Sequence, residues 1–286
     1  MDISWKSDWP SQIKIREEVE AFVDVVHDVL VTAISPSALR GLYYKGSAIK
    51  KWESALDYVP EISDVDFHVW LKSEADVERV FGSMDVALDV QASLEREYAR
   101  RVPTPAHHPR PQFVIMNKLL EDPDYSPSAP DQVRVLRGVS CPSGSYDSKK
   151  MLETDCRRAL SDESFLAKLP GSAIDKPGRL LWKVLRDLVF RVSPAGPRAI
   201  HLLGTPTEVA WESNRTRIYQ ELLDRGRTDL AEAYASYYPA GWAYFLSEWK
   251  DTNAGREAVR EGIRVLELSA EVARQWMSAN RLELER

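Results

Sequence analysis

A change of hydrophobic period near residue 145 constrains this chain more than any other feature. Ahead of it, short alternating segments sit between amphipathic stretches. From Lys149 onward nearly every apolar residue recurs at helical intervals, with no β-branched runs. Strands confined to one half, with helices filling the other, predict an α+β protein: a mixed sheet with flanking helices over 1–145, then a helical bundle over 146–286. With 286 residues and 44% hydrophobic content, the chain has material for two packed cores.

In the first half, Ile13, Ile15, Val19, Phe22, Val23, Val26 and Leu30 recur mainly at intervals of three and four. They predict a helix from Trp9 to about Ile34, closed by Pro36. "LRGLYYKG" predicts a strand ending at Gly46, "DVDFHVWL" a second, "QFVIMNKLL" a third and "VRVLRGVS" a fourth. Residues 74–101 read as helix with a weak point at Gly82. In the second half, Thr205 as N-cap, Pro206 at N1, Glu208 at N3 and Gly226 at the far end mark one helix. Another is predicted to start at Asp175, and "DLAEAYASYY", "WAYFLSEW" and residues 253–277 supply more.

The net charge of -6 argues against broad nucleic-acid binding. The opening MDISWKSDWP lacks the apolar run of a secretory signal, and Asp24, His27 and Asp28 interrupt the first long apolar segment. A soluble, cytoplasmic protein without a membrane partner is therefore expected. Cys141 and Cys156 are too few for a disulfide framework and read as reduced thiols. His107 and His108, in a proline-rich loop, read as loop surface rather than zinc ligands. Tyr237, Tyr238, Trp242 and Tyr244 read as helix packing ahead of an acceptor pocket.

Alternation along "DVDFHVWL" places Asp64, Asp66 and His68 on one face of the strand and Val65, Phe67 and Val69 on the other. Two carboxylates about 5 Å apart repel by roughly 3 kcal/mol at an effective dielectric of 20, so a compensating cation is expected. A hard divalent ion, Mg²⁺, suits oxygen donors and leaves positions open for phosphate oxygens. Ahead of this strand, "KGSA" forms a Gly-Ser turn that can present N–H groups and a hydroxyl to an anion.

A strand ending in "YYKGSA" followed by "SDVDFHV" resembles the polymerase-β-like nucleotidyltransferases over residues 10 to 140, and with a helical second half it is similar to the kanamycin and lincosamide enzymes. The resemblance implies a nucleotidyltransferase-like fold and an enzyme that moves a nucleoside monophosphate from an NTP, with ATP the expected donor. The acceptor is a hydroxyl on a small molecule, a protein or an RNA, and nucleic acid enters only in that role. It implies that Gly46 and Ser47 hold nucleotide phosphates and that Asp64 and Asp66 are catalytic and bind Mg²⁺. It further implies that a basic residue of the helical domain contacts the triphosphate. Lys176, Arg179, Lys183 and Arg186 form a cationic stripe, and Lys183 and Arg186 are the candidates for that contact.

Sixteen residues separate Ser47 from Asp64, so "KKWESALDYVP" reads as a small insertion. Neither later strand has an internal acid to complete the metal site. Asn117 is expected to take that place, with Glu121 and Asp131 at strand ends and His68 as further substitutes. The missing acid motivates an alternative: a degenerate protein of this fold that binds a nucleotide or partner without transfer.

Overall fold

The computed structural model describes residues 2–122, 125, 128, 132–142 and 148–280. The chain forms two compact units. The first comprises residues 7–50 and 63–144; the second comprises 1–6, 51–62 and 145–286. The expected boundary at 145 falls outside the described residues. A contiguous first domain over 1–145 is not what forms, because residues 2–6 and 51–62, which take in all but the first residue of the insertion read in "KKWESALDYVP", group with the helices.

In the first unit, α1 (Gln12–Ala33) begins where the Ser11 side chain accepts from Lys14 N–H. Strands β1 (Leu39–Lys45) and β2 (Asp64–Leu71) follow, then α2 (Glu74–Phe81) and α3 (Met84–Arg101), separated at Gly82 as the sequence suggests. β3 (Arg110–Ile115), α4 (Met116–Glu121) and β4 (Arg134–Gly138) complete the unit. The sheet is mixed, in the order β3-β2-β1-β4, with β1 antiparallel to β2 and β4, and β2 parallel to β3. Its apolar face buries Val65, Phe67 and Val69, and Phe22 of α1 meets Phe67 and Tyr98 of α3 edge-on. Alternation then leaves the opposite face to the polar residues.

Two readings of this unit need correction. "QFVIMNKLL" is strand only as far as Ile115; Met116–Glu121, rich in strong helix formers, turns into α4. His108 is exposed, but His107 is buried and not loop surface. Its Nδ1–H donates to Glu18 Oε2 at 2.7 Å, and Glu18 also accepts from Ala106 N–H at 2.7 Å. Burial works against the Glu18 charge, yet these hydrogen bonds outweigh it and hold the carboxyl below its usual range.

The second unit contains α5 (Ser148–Ala173), α6 (Leu181–Leu202), α7 (Thr207–Glu212), α8 (Arg215–Asp224), α9 (Thr228–Leu246) and α10 (Thr252–Ala279). α6 starts six residues after Asp175, because Gly178 takes a left-handed φ of 59° behind Pro177. The helix expected from Thr205 to Gly226 is broken at Asn214, which caps α8 by accepting from Arg217 N–H, while the Thr205 hydroxyl donates to Glu221. "DLAEAYASYY" and the first five residues of "WAYFLSEW" join in one helix, α9, that continues through Pro239 and ends at Leu246. It buries Tyr234, Tyr237, Tyr238, Trp242 and Tyr244, so it is a core helix, and the aromatic residues pack as expected. No helix among the described residues is long and apolar enough to cross a membrane.

Candidate functional site

The polar face of the sheet is assembled by register. Lys45 on β1 lies opposite Asp66, Tyr43 lies opposite His68, and on β3 Arg110 and Gln112 lie beside Asp64 and Asp66. Asp64 and Asp66 share this face, as alternation predicts. Arg110 Nη2 lies 2.5 Å from Asp64 Oδ1, with side-chain exposures of 10% and 12%. With its amide nitrogen turned toward the acids, Gln112 donates to Asp66 Oδ1 at 3.2 Å and to Asp64 Oδ2 at 3.1 Å. A single nitrogen thus reaches both carboxylates, which shows that they converge on one point.

Gly46 follows directly, with φ 88° and ψ -162°, and begins the 3-10 turn Ser47–Ile49. A Cβ at Gly46 would stand 1.8 Å from Asp66 Oδ2, so only glycine allows the turn to approach that carboxylate. Arg16 of α1 holds the turn from behind. Its guanidinium donates to the carbonyls of Ala48 (2.7 Å), Ile49 (3.1 Å) and Lys50 (3.1 Å). The structure therefore brings Gly46, Ser47, Asp64 and Asp66 together on adjoining elements.

The cationic and titratable neighbours are arranged around the pair. Burial pushes the Lys45 ammonium down from its ordinary value, while Cys141 and Asp66 oppose that shift. His68 is 6% exposed, and its Nδ1 has no hydrogen-bond partner among the described residues. Burial, assisted by Lys45, pushes its imidazole down to about 3, so it is neutral near physiological pH.

Asn117 does not complete the acid pair. Its Oδ1 accepts from Leu71 N–H and its Nδ2 donates to Leu71 O, both at 3.0 Å, at the far end of β2. Gln112 is the residue in register with Asp66, and Arg110 with Asp64. Glu121 ends α4, and Asp131 lies outside the described residues. Among the described residues no group of three or more His, Cys, Asp or Glu side chains could hold a metal ion.

Lys183 and Arg186 are on α6 of the helical unit. Lys183 is exposed, and the Arg186 guanidinium lies 5.2 Å from the Phe190 ring centre. Lys176 precedes α6 and Arg179 lies in the separate 3-10 turn Gly178–Leu180, so of the four stripe residues only Lys183 and Arg186 lie on α6.

The donor set bears on Mg²⁺. Two hard carboxylates converge on the Gln112 amide, which suits a divalent cation in donor type. Arg110 and Gln112 offset the pair at the same oxygens. Arg16, Arg110 and Gln112 escaped the sequence reading. The Arg16 clamp spans more than thirty residues of chain, and the other two depend on a parallel pairing that no local pattern encodes. Set against protein families and curated proteins, the chain matches no family model and no curated sequence.

Proposed function

We propose that the chain is a Mg²⁺-dependent nucleotidyltransferase that moves a nucleoside monophosphate from an NTP, with ATP the expected donor, to an acceptor hydroxyl. One observation carries the reading: a glycine turn with positive φ is pressed against the second of two converging aspartates. Gly46 permits the close approach, Ser47 offers a hydroxyl and backbone to phosphate oxygens, and Arg16 keeps three carbonyls engaged behind the turn. Asp64 and Asp66 would hold Mg²⁺, which when bound neutralises phosphate charge. Catalysis of this kind rests on positioning and charge.

A second reading, nucleotide binding without transfer, is favoured by Arg110 and Gln112 standing beside the pair where a carboxylate would complete it. Pyrophosphate release from each of the four NTPs, screened against small-molecule, protein and RNA acceptors, separates the two. Calorimetry tests what they share. Asp64→Asn and Asp66→Asn should each weaken Mg²⁺-dependent NTP binding about tenfold or more, the scale of about 1.4 kcal/mol, with the fold intact by circular dichroism. Unchanged binding in both variants would remove the metal assignment.

A further inference from the structure

We infer that Arg110 is a displaceable counter-cation for Asp64, so that a divalent cation loads the acid pair only as the guanidinium leaves it. The inference rests on the reading of Asp64 and Asp66 as metal ligands and adds a device that regulates their loading. Arg110 reaches Asp64 from the adjacent parallel strand, and its Nη2 stands 2.5 Å from Oδ1. Neither side chain is more than 12% exposed, so water screens the contact little.

A cation bridging the two aspartates would draw on the oxygens that Arg110 and Gln112 hold, and would lie next to a fixed positive charge. Gln112 is neutral, so giving up its two contacts leaves no like charge beside the cation. Arg110 does not: a guanidinium stays protonated across the working pH range, so the competition cannot be relieved by losing a proton. The guanidinium has to rotate away from the carboxylate. Once released from Asp64, Arg110 remains near the pair with five N–H donors in a fork suited to phosphate oxygens. The same side chain would thus oppose the bare cation and favour a cation that arrives with a phosphate ligand.

The test uses the full chain and Mn²⁺ alone, with bound and free ion distinguished by electron paramagnetic resonance. Arg110→Gln should bind Mn²⁺ about tenfold more tightly than wild type, equivalent to about 1.4 kcal/mol, and the gain should vanish in Asp64→Asn/Arg110→Gln. Arg110→Lys keeps a charge but loses the fork, so it should show a smaller gain in the same direction and serves if the glutamine variant does not fold. A purely structural arginine would give no gain in either variant. If Mn²⁺ affinity is equal or lower in both Arg110 variants while Asp66→Asn still weakens wild-type binding, the counter-cation role is overturned and the metal reading stands. If neither wild type nor either Arg110 variant binds Mn²⁺, the metal reading falls and the inference falls with it.

Discussion

At the scale of single residues, the site depends on a contact that one methyl group would abolish. Gly46 occupies a backbone region that L side chains rarely adopt, and a Cβ there would meet Asp66 Oδ2 at 1.8 Å. Gly46→Ala is therefore expected to cost about 1–3 kcal/mol in backbone strain alone and to push the Asp66 carboxylate out of place. Urea denaturation should show the first effect and a Mn²⁺ titration the second. Wild-type values in both would show that the turn and the carboxylate do not constrain each other. That Gly46, Ser47, Asp64 and Asp66 meet on adjoining elements was legible because the turn signal and the two-residue alternation are local. Arg110 and Gln112 were not, since their relation to the acids is fixed only when β3 pairs in parallel with β2.

Among elements, the junction of β3 and α4 decides what stands beside the acid pair. Pairing between β2 and β3 runs to Val69 and Ile115, and the Asn117 amide then takes the N–H and the C=O of Leu71. A side chain thus replaces the strand that a longer β3 would have supplied, and the chain is free to enter a helix. Asn117→Ala should lower stability by about 1–3 kcal/mol, the scale for groups left without partners. It should leave Mn²⁺ affinity unchanged. Chemical denaturation and the same titration check the pair of outcomes, and a large loss of Mn²⁺ affinity would return Asn117 to the site. Sequence pattern placed the start of this element at Gln112, two residues late, and missed its end, because an apolar run of this length suits strand and helix alike.

For the whole molecule, the lesson lies in residues 51–62, which belong to the helical unit although the sequence places them between two strands. Asp57 accepts from Glu53 N–H, Ser54 N–H, Thr216 N–H and the Thr216 hydroxyl, at 2.7, 3.0, 2.9 and 2.6 Å. Arg215, itself buried, donates to the carbonyl of Leu56, and the Trp242 indole donates to that of Ala55. Trp52, Leu56, Tyr58 and Val59 are buried in the same unit. Asp57→Ala would leave four donors without this acceptor, the Ser54 N–H buried and the others half-buried, so a loss of about 1–3 kcal/mol is expected, the scale for groups left without partners. Hydrogen exchange should report it as a joint loss of protection in 51–62 and α8, with the sheet amides retaining theirs. Loss confined to 51–62 would show that the segment is not part of the helical core.

What the sequence determined by itself is whatever short-range chemistry encodes. The α+β division, the exact span of β2, the break at Gly82, the Gly-Ser turn and the shared face of Asp64 and Asp66 each follow from periodicity or from the conformational range of one residue. Only the tertiary structure decided which residues face that pair, where the third strand stops, and that the segment between Lys50 and Ser63 packs with distant helices. Each of these depends on partners dozens of positions away, such as Arg215 and Thr216 for Asp57. The preference of a segment for strand, helix or loop is nearly the same whichever partner it meets. The choice among partners is made by burial and hydrogen-bond satisfaction summed over the folded chain.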